Sequence, residues 1–104
     1  MMDLSIVIPL YNEDESIDEL HSKIVSSLLN SSLNYEIIFI DDGSSDNSWN
    51  IIKDVTKRVP NTRAIRFLTN YGKSMALSAG FKSTRGEVVV TCLLYTSDAA
   101  DDTC

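Results

Sequence analysis

Two adjacent carboxylates, Asp41 and Asp42, follow the apolar run Glu36-Ile37-Ile38-Phe39-Ile40, and Gly43-Ser44-Ser45-Asp46 turns the chain directly after them. A turn explains Asp42 alone, because Asp and Gly supply the side-chain bonding and positive φ that turns use. It explains Asp41 less well: a second carboxylate at a buried strand end carries desolvation and mutual repulsion unless something donates to it. In an open α/β sheet the ligand crevice lies beyond the carboxyl ends of the strands, where such acids can accept from a base N–H and ribose hydroxyls. The pair therefore reads as a nucleotide-binding wall. An earlier segment, Ser5-Ile6-Val7-Ile8-Pro9-Leu10-Tyr11-Asn12-Glu13, repeats the layout, with Pro9, Tyr11 and Glu13 around the strand exit. Both exits are expected to face one crevice.

The other chemically suggestive string is Thr69-Asn70-Tyr71-Gly72-Lys73-Ser74. Gly-Lys-Ser between a strand and a helix is half of a P-loop, but the glycine required five positions before Gly72 is Phe67. Lys73 at a helix start could still neutralise a diphosphate, and a solvated surface lysine is the bland alternative. Asp46 reads as a helix cap, His21 as a packed or half-exposed helix residue, and Trp49 and Met75 as core. No Ser/His/Asp or Cys/His set offers a nucleophile.

These residues need elements to position them, and strands and helices alternate along the chain. Leu4 to Ile8 is an apolar strand; Ile17, Leu20, Ile24 and Leu28 then recur at helical spacing behind an acidic first turn. The Glu36 to Ile40 strand leads to a helix striped by Trp49, Ile52, Val55 and Val59 and stopped by Pro60. A third strand is expected at Ala64–Leu68, and a third helix from about Lys73 to Ser83, with Ala76, Ala79 and Gly80 allowing close approach to a sheet. Gly86 is expected as that helix's stop, ahead of a fourth strand at Glu87–Thr91. This order with short connections implies a Rossmann-like α/β fold, a mostly parallel sheet flanked by helices.

Composition sets the outer limits. With 104 residues, 43% hydrophobic and 23% charged, the chain is one globular domain. Its net charge is −6, of which Asp98, Asp101 and Asp102 supply half. Nothing resembles the basic stripe of a nucleic-acid binder. No run approaches the roughly 18 apolar residues of a membrane span, and no basic leader precedes the first strand, so a cytoplasmic location is expected. Two cysteines, Cys92 and Cys104, suggest neither a disulfide framework nor a four-ligand zinc site.

At Ser5 to Glu13, Ile40-Asp41-Asp42-Gly43-Ser44-Ser45-Asp46, Asn70 to Phe81 and Gly86 to Thr91, the chain resembles the family 2 glycosyltransferases of GT-A fold, particularly the branch that charges polyprenyl phosphates from a nucleotide sugar. The likeness covers nearly all of residues 3–91, in order and at the family's spacing. It implies that Pro9, Tyr11, Glu13, Ile40 and Asp42 line the site of a UDP- or GDP-sugar, with Asp41 beside them and Lys73 near the diphosphate. It further implies a lipid-phosphate acceptor, inverting transfer and a divalent cation, Mg²⁺ or Mn²⁺, that offsets diphosphate charge.

The resemblance then calls for a strand end of the form Asp-x-Asp to hold that ion. After Thr91 the chain instead reads Cys92-Leu93-Leu94-Tyr95-Thr96-Ser97-Asp98-Ala99-Ala100-Asp101-Asp102-Thr103-Cys104, whose acids are late and wrongly spaced. Residues 1–91 thus read as the nucleotide-sugar-binding part of a truncated glycosyltransferase. Residues 92–104 read as a non-native tail of the kind produced by translating sequencing-adapter DNA, and the chain as written is expected to be inactive. Two rivals remain open: a phosphate-binding NTPase built on Gly72-Lys73-Ser74, and a non-catalytic α/β interaction domain.

Overall fold

A computed structural model describes residues 1–95. Its elements run β1 (Leu4–Tyr11), α1 (Ile17–Leu28), β2 (Tyr35–Asp41), α2 (Ser48–Arg58), β3 (Thr62–Arg66), α3 (Lys73–Ser83), β4 (Val88–Thr91) and β5 (Leu94–Tyr95). All strand pairings are parallel, in the order β3-β2-β1-β4, with β5 pairing β1 farther along the side that β4 occupies. The chain winds outward from β1 through β2 to β3, then returns to the opposite side of β1. The carboxyl ends of β1 and β4 consequently form the topological switch point, where open α/β sheets carry their crevice.

Alternation along β1 and β2 splits the core between the two faces of the sheet. Ile6, Ile8, Leu10, Ile37 and Phe39 pack with Ile17 of α1 and Ile52 and Val55 of α2, while Val7, Ile38 and Ile40 pack with Ala76 of α3. The small residues of α3 bring its backbone close, as expected: a Cβ on Gly80 would lie 2.4 Å from Val7 Cγ1 and 2.9 Å from Ile40 Cδ1. Met75, expected in the core, is 55% exposed, because α3 buries only its Ala76 and Gly80 side.

Two punctuating residues act differently from the sequence expectation. Pro9 lies within β1, in register with Ile40, rather than at the strand's exit. Leu10 O accepts from Asp42 and Val7 O from Cys92, so the odd residues of β1 address β4 and β5. Pro9 has no N–H to offer on that side, and the ladder breaks between β4 and β5 opposite it. Gly86 is not the cap of α3, which ends at Ser83 with Thr84 extended. It allows the chain to graze β1 instead, donating to Ser5 Oγ at 2.8 Å where a Cβ would lie 2.6 Å from Ser5 N.

Three other strand and helix ends follow local rules. Val59, before Pro60, is extended (φ −124°, ψ 108°) and closes α2, as the clash with a following proline requires. Asp46 caps α2 from one residue farther out than a standard cap, its Oδ1 accepting the Ser48 amide at 2.9 Å. The third strand begins two residues earlier than expected, at Thr62, and leaves Leu68 95% exposed.

Candidate nucleotide site at the switch point

The exits of β1 and β2 meet, as the paired layout predicts. Leu10 is in register with Asp41, and the loops beyond them are laced together by side chains. Asn12 adopts a left-handed φ of 51°, which Asn tolerates better than most residues, and its Oδ1 accepts the Ser45 amide at 2.8 Å. The Asn12 amide donates to Ser44 Oγ and the Glu13 amide to the buried Ser48 Oγ, while the Asp14 amide donates to Asp46 Oδ2 and the Asn47 amide to Asp14 Oδ2 across the same seam. Hydroxyls, amides and the Asp14 and Asp46 carboxylates thus hold the acidic turn against the end of β1.

Asp41 and Asp42 are both fully buried. Asp41 Oδ1 accepts the Ser44 amide at 2.9 Å, closing the turn, whereas its Oδ2 is buried with no hydrogen-bond partner among the described residues. An orphaned carboxylate oxygen bears the full cost of desolvation, about 1–3 kcal/mol or more for a charged group, so it is a place where an added donor gains most. Asp42 is the opposite case. Oδ1 accepts the amides of Tyr71 at 2.8 Å and Gly72 at 3.3 Å, and Oδ2 accepts Asn70 Nδ2 at 3.1 Å, the Gly72 amide at 3.1 Å and the Tyr95 hydroxyl at 2.9 Å. The carboxylate that the sequence offered as an open wall is therefore saturated by the chain itself.

The β3–α3 loop reaches Asp42 because Gly43 makes room for it. Gly43 has φ +74°, and a Cβ there would lie 2.3 Å from Thr69 C and 2.5 Å from Asn70 N. Gly72 follows at φ +101°, so the loop turns its amides inward just before α3 begins at Lys73. Those amides face a carboxylate, which is the arrangement a P-loop cannot have if they are to cradle phosphate. The Gly72-Lys73-Ser74 string thus gives no support to the NTPase reading. Lys73 Nζ lies 5.4 Å from the centre of the Tyr95 ring, which brings its charge to the same end of the sheet.

Of the other residues proposed from the sequence, Pro9 and Ile40 are buried neighbours on β1 and β2, and Tyr11 and Glu13 are half-buried at the exit of β1. Ser16 Oγ donates to Glu13 Oε1 at 3.3 Å in the turn that starts α1. Asn12, Ser44, Ser48 and Tyr95 join these residues through contacts that the sequence reading does not include. An Asn directly after a strand is a signal for a left-handed position, but nothing local in Leu94-Tyr95 announces that its phenol meets Asp42.

A second polar cluster, also unforeseen, lies at the opposite end of the sheet. Buried Glu36 accepts from Ser5 Oγ at 2.6 Å, from Arg63 at 2.7 Å and from the Arg85 amide at 2.8 Å, and Arg63 also donates to Ser83 O. Burial alone would raise the Glu36 pKa, but these donors outweigh it and hold the carboxyl below its usual range. His21 is buried against Phe39 with Nε2 3.1 Å from Thr62 Oγ1, and burial followed by the Arg58 charge lowers its pKa. Both groups fasten the fold, and neither faces the switch point. An apolar hollow of about 380 Å³ opens elsewhere, between α1 and β4, lined by Leu4, Ile6, Leu20, Ile24 and Val90 among others.

Among the described residues no three His, Cys, Asp or Glu side chains are grouped to hold a metal ion. The late acids Asp98 and Asp101 lie outside the described residues. No helix among the described residues is long and apolar enough to cross a membrane.

A doubly wound parallel sheet with two buried carboxylates where β2 leaves it beside β1 defines a Rossmann-like nucleotide-binding type of domain. The fold superposes on mannosyltransferase PcManGT from Pyrobaculum calidifontis, solved with GDP-Man and Mn²⁺, with TM-score 0.74 and 21% identity over 86% of this chain and 26% of that one. It also superposes on S. aureus TarS 1-349 in complex with UDP-GlcNAc, with TM-score 0.72 and 25% identity over 88% of this chain and 26% of that one. The profile of the family described as Glycosyl transferase family 2 matches residues 5–93, and the chain belongs to that family.

Among curated relatives, the undecaprenyl-phosphate 4-deoxy-4-formamido-L-arabinose transferase of Edwardsiella ictaluri is 39% identical over 90 residues, which are 85% of this chain and 27% of the relative. The dolichol-phosphate mannosyltransferase of Pyrococcus furiosus is 39% identical over 89 residues, 86% of this chain and 24% of the relative. The chain thus spans about a quarter of the length of the curated relatives it matches.

Proposed function

We propose that this chain is the nucleotide-sugar-binding portion of a glycosyltransferase that moves a hexose from a UDP- or GDP-sugar to a polyprenyl phosphate at the cytoplasmic face of a membrane. The observation that carries the reading is the convergence of the β1 exit, the β2 exit and the β3–α3 loop on two buried carboxylates at the switch point. Pro9, Tyr11, Glu13, Ile40, Asp41 and Asp42 are the residues proposed to line the nucleotide, with Lys73 toward the diphosphate. Carboxylates select a base edge and ribose by accepting, and a lysine offsets phosphate charge. The relatives' names, which specify polyprenyl-phosphate acceptors, support the acceptor class. A divalent cation is proposed for the whole enzyme, and no step is assigned to it from these residues.

Thermal shifts with UDP, GDP and ATP, each with and without Mn²⁺, test the reading. UDP or GDP should raise the melting temperature and ATP should not. Asp42→Asn should weaken the preferred nucleotide by about 1–3 kcal/mol, the worth of a lost charge-assisted bond. Stabilisation by ATP alone, or equal UDP and GDP affinity in wild type and Asp42→Asn, would remove the assignment.

A further inference from the structure

The cations of this chain are gathered in one stretch. Residues 55–86 hold Lys57, Arg58, Arg63, Arg66, Lys73, Lys82 and Arg85 of its nine Lys and Arg and no Asp or Glu, although the whole chain carries −6. Several of them are taken up by the fold: Arg58 lies 3.0 Å from Asp54, Arg63 lies 2.7 Å from Glu36, and Arg66 sits over the Trp49 ring. Lys82 and Arg85 are exposed, at the end of α3 and just beyond it.

The apolar surface has the same sidedness. Every exposed residue of α1 and α2 is polar or charged, the pattern of a helix whose outer face meets water. On α3 the exposed residues are Ser74, Met75, Ser78, Phe81 and Lys82, although its other side already buries Ala76 and Gly80 against the sheet. Leu68 and Tyr71, in the loop that enters α3, extend this face: they are 95% and 59% exposed, with Met75 at 55% and Phe81 at 48%. The Phe67 ring meets Tyr71 edge-on at 5.6 Å, which ties the loop part of the patch to the end of β3.

We propose that this outer face of α3 docks on an anionic lipid bilayer, with Leu68, Tyr71, Met75 and Phe81 entering the boundary between headgroups and acyl chains and Lys82 and Arg85 meeting lipid phosphates. Exposed apolar groups interleaved with cations suit an interface where acyl chains and phosphates lie side by side. A nucleic acid needs an unbroken basic track, which Met75 and Phe81 interrupt. Asp18 and Glu19 of α1 and Asp54 of α2 belong to helices packed on the opposite face of the sheet, so the acidic side of the molecule points away from the bilayer. The Tyr71 amide also donates to Asp42, so docking brings the switch point to the membrane, where a polyprenyl phosphate resides. The face itself rests on exposure and charge and not on the nucleotide site.

The test is cosedimentation of the full chain, without nucleotide, with vesicles of phosphatidylcholine alone or containing about one-third phosphatidylglycerol. The anionic vesicles should bind it more tightly, and added salt should weaken the binding. Lys82→Ser should weaken it about fivefold, the effect of one cation near an anionic surface, and Phe81→Ser about tenfold. Met75→Ser should act in the same direction, which keeps the test intact if Phe81→Ser loses stability. Lys57→Ser, exposed on α2, should bind as wild type does. A paramagnetic headgroup lipid should broaden the amide resonances of residues 71–85 before those of α1. No binding to anionic vesicles, equal binding to both kinds, or unchanged affinity in all three α3 variants overturns the proposal. Dimerisation abolished by Phe81→Ser, or binding of duplex DNA, with no vesicle binding overturns it as well and assigns the face to a second copy or to a nucleic acid. None of these outcomes bears on UDP or GDP binding, so the docking face and the nucleotide site can fail separately.

Discussion

Replacing Gly43 with alanine would drive a Cβ to 2.3 Å from Thr69 C and 2.5 Å from Asn70 N, at a φ of +74° that alanine disfavours. The left-handed conformation costs about 1–2 kcal/mol for a residue with a Cβ. Relief of the clash requires the neighbouring backbone to retreat by about 1 Å to reach ordinary van der Waals distance. The contacts that Asn70, Tyr71 and Gly72 make to Asp42 now span 2.8 to 3.3 Å, and a shift of that size carries them past hydrogen-bonding range. Losing even one bond to a buried charge costs about 1.5–3 kcal/mol, which brings the expected total to roughly 3–5 kcal/mol. Urea unfolding measures that total, and amide exchange at Tyr71 and Gly72 reports the local opening. Gly86→Ala is the control, since its Cβ would strike Ser5 at the far end of the sheet without touching Asp42. A Gly43→Ala protein within about 0.5 kcal/mol of wild type, with the Tyr71 and Gly72 amides still protected, would refute the reasoning.

Two further outcomes follow from the packing and the distal charge cluster. Gly80→Ala gains helix propensity of about 1 kcal/mol but forces Val7, a stiff β-branched residue, off its 2.4 Å approach. A net loss of about 1–2 kcal/mol is expected in urea titration, and a stabilised variant would show that α3 is not held against the sheet there. Glu36→Gln should cost about 2 kcal/mol at neutral pH, discounted because Arg63 is partly exposed. Because the folded carboxyl titrates below its unfolded value of 4.5, its contribution is whole above that value and is lost as pH falls through the lower folded one. Acid titrations of stability should therefore be steeper in wild type than in Glu36→Gln, and identical slopes would contradict the depressed pKa.

The sequence by itself determined the order and type of the elements, because apolar periodicity and breakers act over a few residues. Ile17 to Leu28 and Lys73 to Ser83 fold as the helices their spacing implies, and Asp41 and Asp42 end a strand beside the exit of β1. It also carried the family, whose motifs are contiguous strings. What it could not carry was the use each carboxylate is put to. Saturation of Asp42 depends on a loop 28 to 30 residues away and a phenol 53 residues away. The Glu36 cluster likewise joins Ser5, Arg63 and the chain at Arg85. Pro9 reads locally as a strand exit, yet lies inside β1, since only sheet pairing decides which side its missing N–H faces. Local sequence fixes backbone preference within a turn or two, whereas the occupancy of a buried polar atom is settled by whichever distant donors the completed sheet brings within 3 Å.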